Sequence, residues 1–205
     1  MAIVLITGPV AEPVSLSDLK LQIGLSPFED TDKIKAEMTA KLLRRHIAVA
    51  RADCENRTRR VFLRQTWKLL LDGWPRQRQI YDGAGYPSIV LPKQPFGAVS
   101  EFAYVAPDGT TQNMSDYGYQ VDPGSETQPA RLTPPYAQPW PPLRLIPNNV
   151  HVTFTCGYGD DGSFMPTPIT QAVLFLAHSY YDPAAFKDVD GLVDNLLSPY
   201  VNRIS

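Results

Sequence analysis

Residues 150–181 read VHVTFTCGYGDDGSFMPTPITQAVLFLAHSYY, and the way they are parsed decides the fold. Residues 150–156 alternate apolar and polar side chains, the period of a half-buried strand. Gly157, Gly159 and Gly162 then spell G-x-G-x-x-G, with an acid, Asp182, about twenty residues further on. Taken literally, this is the phosphate loop of a dinucleotide-binding βαβ unit. Such a loop opens its helix directly, whereas Ser163-Phe164-Met165-Pro166 here separates the last glycine from the helix start. No second strand pattern follows the helix, and Asp160 and Asp161 would set two negative charges against a pyrophosphate. The stretch therefore reads as a strand, a glycine-rich exit and a separate helix.

Thr167 reads as the cap of that helix and Pro168 as its first residue. Ile169, Ala172, Val173, Leu176, Ala177 and Tyr180 form its apolar stripe, and Pro183 ends it. Residues 190–198 carry Leu192, Val193, Leu196 and Leu197, stop at Pro199 and leave a tail from Tyr200. Toward the N-terminus, a short helix is expected over 17–23, capped by Ser15 or Ser17. A long one follows the Asp30-Thr31-Asp32 cluster and runs to Arg57, Arg59 and Arg60. Ile34, Met38, Leu42, Leu43, Ile47, Ala50 and Cys54 recur along it at helical spacing and read as a buried stripe.

Between these helices the chain changes character. Residues 61–63, 65–71, 88–91, 99–105 and 119–121 read as strands, rich in aromatic and β-branched residues. Pro107-Asp108-Gly109 turns a hairpin into 111–114. Residues 123–147 hold eight of the twenty prolines together with Tyr136, Trp140 and Ile146, a composition suited to a long loop packed on a neighbour. The expected class is α+β. Residues 1–60 and 157–205 supply a helical core, and 61–156 a β-rich insertion.

Composition is that of an ordinary globular chain, with 43% hydrophobic and 20% charged residues and a net charge of -2. The charge is unevenly placed. Between Lys33 and Arg64 ten Lys or Arg face Glu37, Asp53 and Glu55, a local balance of +7. After Val150, six Asp face Lys187 and Arg203, a balance of -4. Opposite charges at two ends suit head-to-tail association, although solvated faces explain them equally well. Cys54 and Cys156 offer neither a disulfide framework nor metal-site spacing, and read as buried thiols of a reducing compartment. The segment MAIVLITGPV lacks a basic lead and is broken by Gly8 and Pro9, so it does not read as a signal peptide. No apolar run is long enough to span a bilayer.

Enzyme chemistry finds little purchase. Adjacent acids at Asp160 and Asp161 have no further ligands in view, and His46, His151 and His178 are scattered without a nucleophile elbow. No catalytic, cofactor-binding or metal-binding residues are expected. Arg44, Arg45, Arg51, Arg57, Arg59 and Arg60 form a basic cluster that could sit at a subunit interface or face DNA. An outward-facing charged helix side is the plainer account. A nucleic-acid-binding module working through the basic helix at 41–64 is the alternative function.

The order of the pieces carries more than any one of them. Pro13-Val14-Ser15-Leu16-Ser17-Asp18-Leu19-Lys20 opens a helix; Ala50-Arg51-Ala52, Glu55 and Thr58-Arg59-Arg60 close the long one. Gln65-Thr66-Trp67, Leu71-Asp72-Gly73-Trp74-Pro75 and Ile89-Val90-Leu91-Pro92 come next. Tyr104, Asp108-Gly109, Tyr119-Gln120-Val121-Asp122, Arg131-Leu132 and Trp140-Pro141 follow. Phe154-Thr155-Cys156-Gly157-Tyr158-Gly159 leads to Pro168-Ile169, Ala172-Val173, Ala177-His178-Ser179-Tyr180-Tyr181 and Leu196-Leu197-Ser198-Pro199-Tyr200.

This series, over nearly the whole chain, resembles the head–tail connector (adaptor, or head-completion) proteins of long-tailed bacteriophages and gene transfer agents. The resemblance implies a structural virion protein at the head–tail interface, made in the cytoplasm of a bacterial host. Its partners would be further copies of itself in a dodecameric ring, the portal protein, and a tail or stopper protein of the neck below. DNA would pass through the ring without sequence-specific binding, and no membrane or cofactor would be involved. The resemblance also implies a C-terminal arm that docks on the portal, here Leu192, Leu196, Leu197, Tyr200, Val201 and Ile204. Residues 192–197 could equally pack back on the helical core. The stretch RQRQIYDGAGYP, 76–87, lengthens a loop relative to the usual pattern.

Overall fold

The computed structural model describes residues 1–25, 33–75, 87–125 and 128–202. Along the chain run β1 (Ala2–Thr7), α1 (Leu16–Gln22), α2 (Lys33–Thr58), β2 (Gln65–Leu71), β3 (Ile89–Val90) and β4 (Phe96–Val105). Then come β5 (Thr111–Asn113), α3 (Met114–Tyr117), β6 (Gln120–Asp122), β7 (Arg131–Thr133), β8 (Val150–Cys156), α4 (Thr167–Tyr181) and α5 (Val189–Leu197). The class is α+β, with antiparallel sheets and separate helices. Two compact units emerge: a β unit of Met1–Gly8 and Gln65–Gly157, and a helical unit of Pro9–Arg64 and Tyr158–Asn202. The cap cluster at 30–32, most of the lengthened loop (76–86) and Ile204 lie outside the described residues.

In the β unit a five-stranded sheet has the order β1-β2-β8-β4-β5, and β3-β7-β6 form a second, three-stranded one. Val150, Val152, Phe154 and Cys156 of β8 are buried while the residues between them are half-exposed, so the period-2 pattern is that of a central strand with one dry face. Cross-strand chemistry serves the other face. Glu101 accepts a hydrogen bond from Thr153 Oγ1 at 2.9 Å and lies 3.6 Å from Lys68 Nζ and 3.3 Å from His151 Nε2. The Thr153 hydroxyl, followed by Lys68 and His151, holds the Glu101 carboxyl below the usual carboxylate range.

The proline-rich segment packs within its own chain. Trp140 stacks on Trp74 at 4.6 Å between ring centroids; Trp74 Nε1 donates to the Pro141 carbonyl and Trp140 Nε1 to that of Pro87, at 2.7 and 2.8 Å. A buried indole keeps its donor satisfied in this way.

Two strand readings change. Residues 2–7, given no strand by the sequence reading, pair antiparallel with β2 through Ala2↔Leu70 to Leu5↔Trp67. An unbroken apolar run at a sheet edge has no alternation to announce it; its partner lies far along the chain. Conversely, Val61, Phe62 and Leu63 are buried but form no named strand, joining Gly159 only through an isolated bridge at Leu63. Their β-branched and aromatic character reflects burial alone.

The helical unit is built around α2 and α4. Leu43, Ile47, Ala50 and Cys54 meet Ile169, Ala172, Val173, Leu176 and Ala177, with Leu19 of α1 and Val193 and Leu197 of α5 completing the core. Ser15 caps α1 in a reciprocal box with Asp18. α4 begins with Pro166 at the cap position and Thr167 already helical, one residue earlier than the sequence predicts, and no side chain caps it. Of its expected stripe only Tyr180 reaches the surface; its hydroxyl lies 3.4 Å from an Asp53 carboxylate oxygen.

Candidate functional site

The glycine loop is consumed by packing. Gly157 has φ of 117°, which disfavours any side chain. A Cβ on Gly159 would strike the Phe164 ring, and one on Gly162 the Pro13 carbonyl. The amides are spent as well: Gly157 N–H donates to Pro95, Tyr158 N–H to Phe62 and Met165 N–H to Gly162. Asp161 accepts from Ser163 N–H and Oγ at 2.8 and 2.5 Å, which hold its carboxyl below the usual range, and Asp160 pairs with Arg64 at 3.3 Å. The N–H groups of Gly157, Tyr158, Ser163 and Met165 are thus already bonded within the chain and are not available to a phosphate.

The basic cluster splits in two. Arg51 bonds to Glu12 at 2.8 Å and Glu55 at 3.0 Å; burial alone would depress its guanidinium, but the two carboxylates outweigh it and leave its pKa raised. Arg57 is clasped by three acids, Asp53 at 2.9 Å, Asp190 at 2.6 Å and Asp194 at 2.9 Å, and is held protonated above its ordinary range, by Asp53 first. Arg60 is buried, its Nε donating to the Tyr200 carbonyl at 2.5 Å. Arg57 and Arg60 tie the end of α2 to α5 and the chain after it, and Arg51 ties α2 to the segment before α1. Arg44, Arg45 and Arg59 are exposed, Arg59 in the left-handed region at φ of 54° where α2 ends.

The C-terminal residues are likewise shared between roles. Leu197 is buried, and Leu196 and Tyr200 pack against the same core, while Leu192 is 37% exposed and Val201 half-buried. Asn202 N–H donates to the Thr58 carbonyl at 2.8 Å, which ties this end of the described chain to the end of α2.

The long-helix stripe needs correction. Leu43, Ile47, Ala50 and Cys54 are buried as expected, but Ile34, Met38 and Leu42 are not, at 74%, 69% and 44% exposure. The heptad-like series from Ile34 to Cys54 mixes two faces. At 100° per residue Met38, Leu42, Arg45 and Val49 line one side of α2, and Leu43, Ile47, Ala50 and Cys54 the opposite one. Val49, which the sequence reading left out, is 54% exposed on the outer side. The signal was available: spacing i, i+4, i+7, i+11 from Met38 is as regular as the inner one. The candidate functional site is therefore this outer face, an apolar row with Lys41 and Arg45 beside it.

Both cysteines are free and buried; burial, with the neighbouring Asp53, pushes the Cys54 thiol up to about 12. Among the described residues no group of three His, Cys, Asp or Glu could hold a metal ion, and no helix is long and apolar enough to cross a membrane.

No protein-family model matches the chain, and no curated protein matches it. Solved structures do. A chain in the neck of an empty gene transfer agent particle, computed with C6 symmetry, superposes with a TM-score of 0.73 at 21% identity. That match covers 100% of this chain and 98% of the other. A chain in the virion of a native gene transfer agent particle gives 0.71 at 20% identity, over 100% and 97%. A chain in the neck of a native particle, computed with C12 symmetry, gives 0.61 at 22%, over 100% and 98%. At these identities the likeness establishes a shared fold over the entire chain.

Proposed function

We propose that the chain is a structural component of the neck of a phage-like particle, a head–tail connector that forms a ring under the portal and lets DNA pass. The observation that carries this reading is the end-to-end fold match to chains of gene transfer agent necks, with 98% of the matched chain covered and a TM-score of 0.73. Correspondence over both units, with neither left over, favours the same kind of building block over a shared subdomain. The neck structures were computed with sixfold and twelvefold symmetry, and a dodecameric ring suits both.

In this role the protein performs no catalysis. Its work is to hold two assemblies in register around a channel, and its chemistry is that of surfaces. The segment from Leu192 to Ile204 is proposed to dock on the portal. Leu196, Leu197 and Tyr200 anchor it to the helical core, while Leu192 and Val201 remain within reach of a partner. DNA passing through the ring meets no base-reading side chains in this proposal, and Arg44, Arg45 and Arg59 supply positive potential at most.

The test is imaging of particles made with and without the protein, together with the purified protein mixed with its portal ring. Full heads and separate tails that fail to join without it are the expected result. Normal joined particles in its absence would overturn the proposal.

A further inference from the structure

Resting on the ring reading above, we infer that the outer face of α2 is a docking surface for a second copy of the chain, and that it receives the acidic α4–α5 connection of that copy. Met38, Leu42 and Val49 lie in a row on the side of α2 away from its own core, with Arg45 among them. The row spans about 17 Å at 1.5 Å per residue. An apolar row of that length on an open helix side marks an interaction surface.

Charge says which partner fits. Lys41 and Arg45 form no ion pair among the described residues, unlike Arg51 and Arg57 on the same helix. The surface therefore asks for an apolar partner carrying unmatched negative charge. The α4–α5 connection supplies both. Asp182 and Asp188 stand there against Lys187, Asp190 beyond them being taken by Arg57, and Tyr181, Ala184 and Ala185 are exposed beside them. Among the described residues Asp182 and Asp188 accept from Ala184 N–H at 3.0 Å and Gly191 N–H at 2.9 Å, and neither meets a cation. Elsewhere Asp72, Glu101, Asp122 and Asp160 each already face a positive group. Phe186 pins the connection in place, packing on Phe175 and His178 at 5.5 and 5.0 Å between ring centroids.

A contact of row against row, two α2 helices facing each other, would bring Arg45 and Lys41 of both copies together and is disfavoured. Row against acidic connection is complementary instead, and because the two patches differ, the contact is head-to-tail. Repetition of such a contact closes a ring when the rotation from copy to copy divides a full turn, as the ring reading requires.

Charge reversal tests this directly. One variant reverses the row (Lys41→Glu with Arg45→Glu), a second the connection (Asp182→Lys with Ala185→Lys), and a third breaks the apolar row (Leu42→Glu). All are exposed positions, and unchanged thermal melts verify that each monomer folds. Self-assembly is followed by mass photometry and sedimentation, for the wild type alone and with the portal ring. Each reversal is expected to raise the concentration needed for assembly about tenfold, and Leu42→Glu to abolish assembly. Mixing the two reversed variants should restore rings in which they alternate, since each then meets its complement. Wild-type rings left intact by Leu42→Glu, or reversed variants that fail to rescue each other, overturn this inference and spare the ring. A wild type that stays monomeric under every condition, portal included, overturns the ring reading itself.

Discussion

On one side of α2, Leu43, Ile47, Ala50 and Cys54 are closed over by α1, α4 and α5; next to Leu43 in sequence, Leu42 looks the other way and stays 44% exposed. The residue types on the two sides hardly differ. What differs is who covers them. The inner row finds its partners within the chain, in helices that the sequence also announces. The outer row is not covered among the described residues, and in the proposed neck it finds a neighbour. The cations divide in the same way, Arg57 clasped by carboxylates of its own chain and Arg45 exposed with no ion pair among the described residues.

Truncating the two adjacent leucines separates the sides most widely. Leu43→Ala removes a fully buried side chain and is expected to destabilise the isolated protein by about 2–5 kcal/mol in urea unfolding. A loss under about 1 kcal/mol would mean that the inner face is not the core it appears to be. Arg57→Ala comes next. Asp190 and Asp194 are solvent-exposed and Asp53 half-buried, so a loss of about 1 kcal/mol is expected, shrinking as salt is added. Arg45→Ala should leave the same unfolding curve in place.

Leu42→Ala is the sharper control: a change within about 0.5 kcal/mol is expected for the monomer. A core-sized loss there would erase the distinction between the faces.

The smallest effect concerns His46, on the flank between the rows. Burial holds its imidazole below the ordinary value, so below that value the unfolded chain binds the proton more readily than the folded one. Its contribution to stability is therefore present above the unfolded pKa of about 6.5 and is lost as pH falls through the folded one. Between about pH 7 and 5 the His46→Gln variant should show a slightly flatter stability profile than the wild type.

Much of this fold is legible in the sequence, because most elements meet partners whose own patterns are strong. Residues 150–156 and the α4 stripe are read correctly, since alternation and helical spacing each correspond to a surface buried within the chain. The misreadings share one physical origin: periodicity reports that a face is apolar and is silent on what lies against it. Ile34, Met38 and Leu42 look like core in sequence for that reason, and β1 goes unseen because pairing with β2, a long-range event, makes it a strand. The arginines show the same limit. Counting them reveals a basic segment, whereas the carboxylates that join the local Glu55 and Asp53 in neutralising Arg51 and Arg57 arrive from Glu12, Asp190 and Asp194, far away in the chain.

The bridge between Leu63 and Gly159, with Arg64 N–H on the Gly159 carbonyl at 2.7 Å, has a consequence for the order of folding. It closes the point where residues 65–157 leave and re-enter the helical unit. As the chain emerges from a ribosome, α2 is made well before α4 and cannot bury its inner row until that whole stretch has followed. Closing an open loop of about a hundred residues costs about 4 kcal/mol of chain entropy, and a stretch already collapsed into sheets spares much of it. The strands after residue 65 are thus expected to acquire protected amides first, with the α2–α4 core zipping shut behind them; pulse-labelled hydrogen exchange during refolding would show the opposite order if α2 led.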